Sequence, residues 1–453
     1  MRRAGRDAGD LSLAGVLAFS TVSIPIAALH VALTVHLPRY FATNLGLELA
    51  VVGAAFGLVR LIDIPIDAAI GVGMDRTRSR LGRYRLWMLL GAPLLMLGLA
   101  RLATASAGIG QVGLIGWLLV MYLGYSAVYL SHLAWAATLS PTYRQRSRLF
   151  GAVTGTGFVG AIAVVVVPVL MSRAGTSDAG GVRAMIWFIV AAVPVTVLLA
   201  AFSTREQISR DHRHGFRLAD YLAVAGRLNV LRVLGADLFI NLGPGWMAAM
   251  YLFYFRDSRG FGLAEANLLL LGYIAAGLVG APLTAWLANR IGKHRALMVN
   301  TTVYSAGLVS APFLPPGAFA VFLPMMCLIG AMQAGFTVMI RALAGDVADE
   351  LRLETGREWT GLIYALINAT SKLAQAAAIL LTFNVALAAA GYDAREGAVN
   401  TPEAIRGLEL AFIVGPVGFV LLAGACFLGY SLGPARHAEI RRNLEARDVQ
   451  TTP

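Results

Sequence analysis

Arg60, Asp63 and Asp67 lie inside an apolar run that begins near Leu47 and continues past Ile70. A spacing of four residues places both carboxylates on one face of a helix, with Arg60 a turn before them. An ionised group at bilayer depth costs about 2.5–3.5 kcal/mol on insertion scales, so such groups face a polar cavity and take partners there. Arg60 and one aspartate could simply neutralise each other as a structural pair. Two acids beside one base, however, leave a carboxylate available for a cation. Asp75 then precedes Arg76, Arg78, Arg80, Arg83 and Arg85, a short basic hinge at a membrane surface. The stretch reads as a coupling-ion site feeding a gate.

A second isolated charge is Lys372. The chain has only two lysines against thirty-five arginines, and the other, Lys293, falls in a loop. Lys372 stands about twelve residues, some 18 Å, into its helix at 1.5 Å per residue, too deep for easy snorkelling to the surface. Its expected partner is Asp63 or Asp67 when no cation is bound.

The elements that must hold these groups follow from composition. With 58% hydrophobic residues, 14% charged residues and a mean hydropathy of +0.69, the chain is too apolar for a soluble protein of this length. Twelve stretches are long enough to cross about 30 Å of hydrocarbon. They cover roughly 12–38, 47–73, 86–104, 109–139, 150–171, 182–203, 229–255, 262–289, 296–315, 318–345, 360–390 and 405–432. The expected fold is all-α, twelve transmembrane helices in two pseudo-symmetric halves. Residues 1–203 form the first half, 204–228 a basic cytoplasmic linker, 229–432 the second half and 433–453 a cytoplasmic tail.

The net charge of +12 invites a nucleic-acid reading, but topology accounts for it. With both termini in the cytoplasm, roughly 27 of the 37 basic residues fall inside and about 8 outside, as the positive-inside rule requires. The first apolar run, at about 27 residues, is too long for a signal-peptide core, so span 1 is expected to remain in the protein. Cys327 and Cys426 both sit in spans, which indicates neither a disulfide framework nor a metal site. Gly155-Thr-Gly157-Phe-Val-Gly160 matches a dinucleotide pattern, yet no strand precedes it. With Gly151 it has the spacing of close helix packing. No nucleophile–base constellation supports an enzyme.

Gly71–Arg76 and the basic residues after it resemble the signature of the major facilitator superfamily. A degraded copy follows span 8, with Asn289 in place of the acid and then Arg290, Lys293 and Arg295. Such repeats at corresponding places fit two related halves. A narrower resemblance is to the glycoside–pentoside–hexuronide:cation symporters, the melibiose permease family. It is carried by Arg60-x-x-Asp63-x-x-x-Asp67, by Asp75 to Trp87, by Asp346-Val-Ala-Asp349 ahead of Thr355-Gly356-Arg357 between spans 10 and 11, by Lys372, and by Gly391-Tyr392.

The resemblance implies alternating-access symport, with sodium, lithium or a proton bound by Asp63, Asp67 and a span 4 hydroxyl, Ser126. Lys372 would lie beside that site. Arg60, Asp75, Arg76, Arg80, Arg144, Asp346 and Asp349 are the residues expected to couple or gate. Departures from the pattern narrow the solute. The family's sugar-clasping acids fall on Ala27 and Tyr129, its span 4 aromatic on Leu133, its span 5 arginine on Thr154 and its span 10 tryptophan on Thr337. An asparagine that helps select sodium is replaced by Ile66, which makes a proton as plausible as Na+.

Helix faces then nominate the residues that replace those contacts: His30 on span 1, Tyr125, Tyr129 and His132 on span 4, and Thr337, Asn241, Asn368 and Lys372 in the second half. A histidine in a membrane helix is more often a packed hydrogen-bonding residue than a ligand. The expectation is a solute of the sugar or glycoside class, or an anionic or amphiphilic one such as a lysolipid; a receptor or assembly factor would move nothing. No cofactor beyond the coupling ion, H+ or Na+, is implied, nor any nucleic-acid partner. The protein is expected to work as a monomer in a bacterial inner membrane.

Overall fold

The computed structural model describes residues 12–106, 108–139, 143–204, 206, 224–357, 359–395 and 398–451, without the side chains of Asp75, Tyr143, Arg144, Arg146, Ser147 and residues 448–451. Thirteen helices are seen among them. The first six are α1 (Leu13–Asn44), α2 (Leu49–Arg76), α3 (Arg83–Ala103), α4 (Gly110–Leu139), α5 (Tyr143–Arg173) and α6 (Asp178–Ser203). The rest are α7 (Leu228–Phe253), α8 (Leu263–Ile291), α9 (Lys293–Ser310), α10 (Phe319–Thr355), α11 (Thr360–Leu381), α12 (Pro402–Ala425) and α13 (Pro434–Thr451).

The chain divides into two compact units, one of α1–α6 with a few residues of the α11–α12 connection, the other of α7–α13. Among the described residues eleven helices are long and apolar enough to span a bilayer; of the twelve expected spans α9, expected at 296–315, is the exception. Its polar residues are paid for internally: Asn300 Nδ2 donates to Thr284 Oγ1 on α8 (2.8 Å) and to the Met332 carbonyl on α10 (3.2 Å). Of the proposed linker, residues 207–223 with Arg210, Arg213 and Arg217 lie outside the described residues.

In the first unit α2 packs on α4, α3 on α4 and α6, and α5 on α1 and α6. The glycines of α5 divide in a way their spacing does not reveal. A Cβ on Gly160 would sit 2.1 Å from the Ile24 carbonyl oxygen of α1, whereas Gly151 and Gly155 face open space. Close packing therefore rests on Gly160. At the basic hinge Gly82 has φ +97°, a conformation other residues avoid, and it lets the chain turn into α3. The first turn of α3 has orphan amides, and the Glu206 carboxylate takes them, accepting from the backbone N–H groups of Arg83 (2.9 Å), Tyr84 (3.1 Å) and Arg85 (3.1 Å). Arg85 Nη2 also donates to the Thr204 carbonyl at 2.5 Å. The chain leaving α6 is thus fastened to the start of α3.

In the second unit α8 packs on α10, and α7 on α11 and α12. Helix α10 continues ten residues beyond the expected end at 345, so Asp346 and Asp349 stand on a helix rather than in a loop. The reason is electrostatic anchoring. Lys293 Nζ lies 2.5 Å from Asp346 Oδ1, and His437 of α13 lies 3.2 Å from both Asp346 and Asp349. Arg441 adds a contact to Asp349 at 3.6 Å. At the other end Tyr392 hydrogen-bonds Asp257, and Arg259 pairs with Glu409 at 3.0 Å.

Candidate cation site

Asp63 is only 1% exposed, near the middle of α2. Ser126 Oγ of α4 donates to its Oδ1 at 2.7 Å, and Arg60 Nη1 lies 3.5 Å from its Oδ2. The Arg60 guanidinium is itself buried, stacked over the Tyr122 ring of α4 at 4.8 Å from the centroid. Asp67, one turn further along α2, is half-buried. So α2 and α4 bring together four of the residues read from the sequence: Arg60, Asp63 and Asp67 on one helix, Ser126 on the other.

Around this group the tyrosines of α4 form a stack. Tyr125 and Tyr129 are 5.7 Å apart at 7°, and Tyr122 meets Tyr125 edge-on at 6.2 Å. Tyr125 is buried and Tyr129 half-buried, which leaves part of the second ring available. The two histidines separate. His30 of α1 is exposed, ahead of a π-helical turn at Ala32–His36, and lies within the field of Arg60. His132 is 1% exposed: its ring stacks on Phe19 at 4.6 Å and its Nε2 is 3.1 Å from the Phe19 carbonyl. That contact ties α4 to α1 and gives His132 no free edge toward a solute. Thr154 is exposed on α5.

Of the gating residues, Arg76 and Arg80 are exposed at the end of α2 and in the turn after it, while the side chains of Asp75 and Arg144 lie outside the described residues. In the second unit Thr337 and Asn368 are exposed and Lys372 is 9% exposed. Asn241 of α7 donates to the Asp237 carbonyl at 2.7 Å and to Asp237 Oδ1 at 3.1 Å. Asp237 is a buried membrane acid that the sequence reading passed over. The signal was present, an acid within an apolar span, and the same rule that found Asp63 would have found it.

A helix pair with a buried aspartate, a hydroxyl on it, and a second carboxylate a turn away can bind and release a cation. It has no nucleophile aligned with a base. The model for MFS/sugar transport proteins matches residues 18–433. The chain belongs to that family: it is a secondary transporter and works by moving a solute, not by catalysis. An uncharacterized symporter, YnaJ, of Bacillus subtilis is 25% identical over 93% of this chain and 92% of its own. The glucuronide carrier protein homolog of Escherichia coli is also 25% identical, over 90% of each chain. Among solved structures the nucleoside transporter NupG superposes with a TM-score of 0.65 at 12% identity, over 92% of this chain and 99% of that one. The last comparison speaks for the fold alone.

Proposed function

We propose that the protein is a proton-coupled symporter of a sugar-like solute, with Asp63 and Asp67 as the cation carboxylates and Ser126 as their hydroxyl partner. The observation that carries it is the buried Asp63, held between Ser126 and Arg60 with a second carboxylate one turn on. Relatives described as symporters support a coupling ion. Protonation removes the charge on α2 and with it the cost of enclosing the site, so the loaded transporter changes its exposure more readily than the half-loaded one. Two carboxylates and one hydroxyl offer a sodium ion at most five oxygens, one of them facing Arg60, and the Ile66 side chain adds none. A proton needs one carboxylate. The coupling reading is tested with vesicles and labelled methyl glycosides and glucuronides: an imposed pH gradient without sodium should drive accumulation. Accumulation driven only by a sodium gradient would refute the proton.

For the solute, the stacked Tyr125 and Tyr129 offer a flat aromatic face of the kind that packs on sugar C–H groups. The accessible His30 imidazole can donate a hydrogen bond to an acid group on such a glycoside. The relative described as a glucuronide carrier homolog agrees with that chemistry. Competition between neutral glycosides and glucuronides for the same uptake separates the two. We place the protein in a bacterial inner membrane with both termini cytoplasmic, on the distribution of its basic residues.

A further inference from the structure

The second unit holds an aspartate that the cation site of the first does not use. Asp237 is 4% exposed on α7. Its Oδ2 accepts from Thr370 Oγ1 at 2.7 Å and from Ser371 Oγ at 2.8 Å, both on α11. Its Oδ1 accepts from Asn241 Nδ2 at 3.1 Å, and the same Nδ2 lies 3.3 Å from Ser371 Oγ. These three contacts all come from neutral groups. Arg341 of α10 acts on the carboxylate only through its field. Of the other charged groups on the neighbouring helices, Asp346 of α10 is engaged by Lys293 and Glu409 of α12 by Arg259, and Lys372 is the next residue after Ser371 on α11.

A brace between α7 and α11 would not need a charge. Asparagine at position 237 could accept the same hydroxyl protons without bringing an anion into the membrane. What the carboxylate adds is attraction for a cation. The groups around it carry the oxygens such a cation wants: two from the carboxylate, two hydroxyls that keep free lone pairs while donating, and the amide oxygen of Asn241 once the amide turns over. The number of oxygens equals that offered by Asp63, Asp67 and Ser126, but there Arg60 already lies against one carboxylate oxygen.

We propose that Asp237, Thr370, Ser371 and Asn241 form a second monovalent-cation site, occupied by an alkali ion or a proton and independent of the assignment of Asp63. Binding there exchanges hydroxyl-to-carboxylate hydrogen bonds for oxygen-to-cation contacts between α7 and α11. The second unit therefore senses the ion directly.

Infrared difference spectroscopy on purified protein tests this without a known solute. In an Asp63→Asn/Asp67→Asn background, adding sodium at fixed pH should shift a carboxylate stretch, or acidification without sodium should raise a carboxylic-acid C=O band. The arm that responds identifies the ion. Adding Asp237→Asn should remove that signal. If the background variant shows neither response, or the response survives Asp237→Asn, the site does not exist and Asp237 is a fixed brace. Should Asp237→Asn fail to give a monodisperse protein, Ser371→Ala and Thr370→Val keep the carboxylate. Each should then move the half-saturating ion concentration by roughly tenfold, the worth of one charge-assisted hydrogen bond, and an unchanged value overturns the proposal. The signal of Asp63 and Asp67 is read separately, as the part of the wild-type response missing from the background variant.

Discussion

At Asp63 one carboxylate oxygen accepts from Ser126 and the other faces Arg60. This gives Ser126→Ala a sign that depends on the ion. Removing a donor destabilises the ionised carboxylate, so a proton binds more tightly and half-maximal uptake is reached at roughly tenfold lower proton concentration. A sodium ion would instead lose a ligand and bind more weakly. Ser126→Thr, which keeps the hydroxyl, should restore the wild-type value, and the pH dependence of vesicle uptake reads the difference. These residues were legible because a charge inside an apolar run is expensive wherever the helix sits. Asp237, an acid inside an apolar span, is equally legible by the same rule. The side-chain direction of His132 was not legible. The 3.6-residue period groups residues on a face but does not say which face meets α1 and which meets the solute.

At the level of the elements, α5 and α3 are positioned by contacts that invite direct tests. Gly160→Ala would force its Cβ to within 2.1 Å of the Ile24 carbonyl, so α5 must move off α1. A loss of about 1–3 kcal/mol is expected, seen as a lower thermal midpoint in detergent. Gly155→Ala, at a position with open space, should stay near neutral or stabilise slightly. Glu206→Ala should strip the cap from α3 at a cost of about 1 kcal/mol, while Glu206→Gln, which keeps an acceptor oxygen, should lose less. Hydropathy located all twelve spans in the sequence; α9, the least apolar of them, has its Asn300 answered by Thr284 and the Met332 carbonyl on its neighbours. The Glu206 cap could not be read from sequence. It joins positions more than a hundred residues apart, and no local pattern encodes such a contact.

For the whole molecule, the proposal is that a cation moving down its own gradient by way of the site on α2 drives a solute against its gradient. Composition and the basic turns specified a twelve-span transporter, because lipid imposes length and polarity on every crossing segment. Solute identity is less legible, since it depends on a few side chains whose neighbours are set by packing. The measurement that bears most directly on the central claim is pH-gradient-driven accumulation of labelled glycosides and glucuronides in vesicles. It should compare wild type with Asp63→Asn and Asp67→Asn at matched levels of inserted protein. The account predicts that both variants lose concentrative uptake while the protein remains folded in the membrane. Wild-type accumulation ratios in both variants would contradict it.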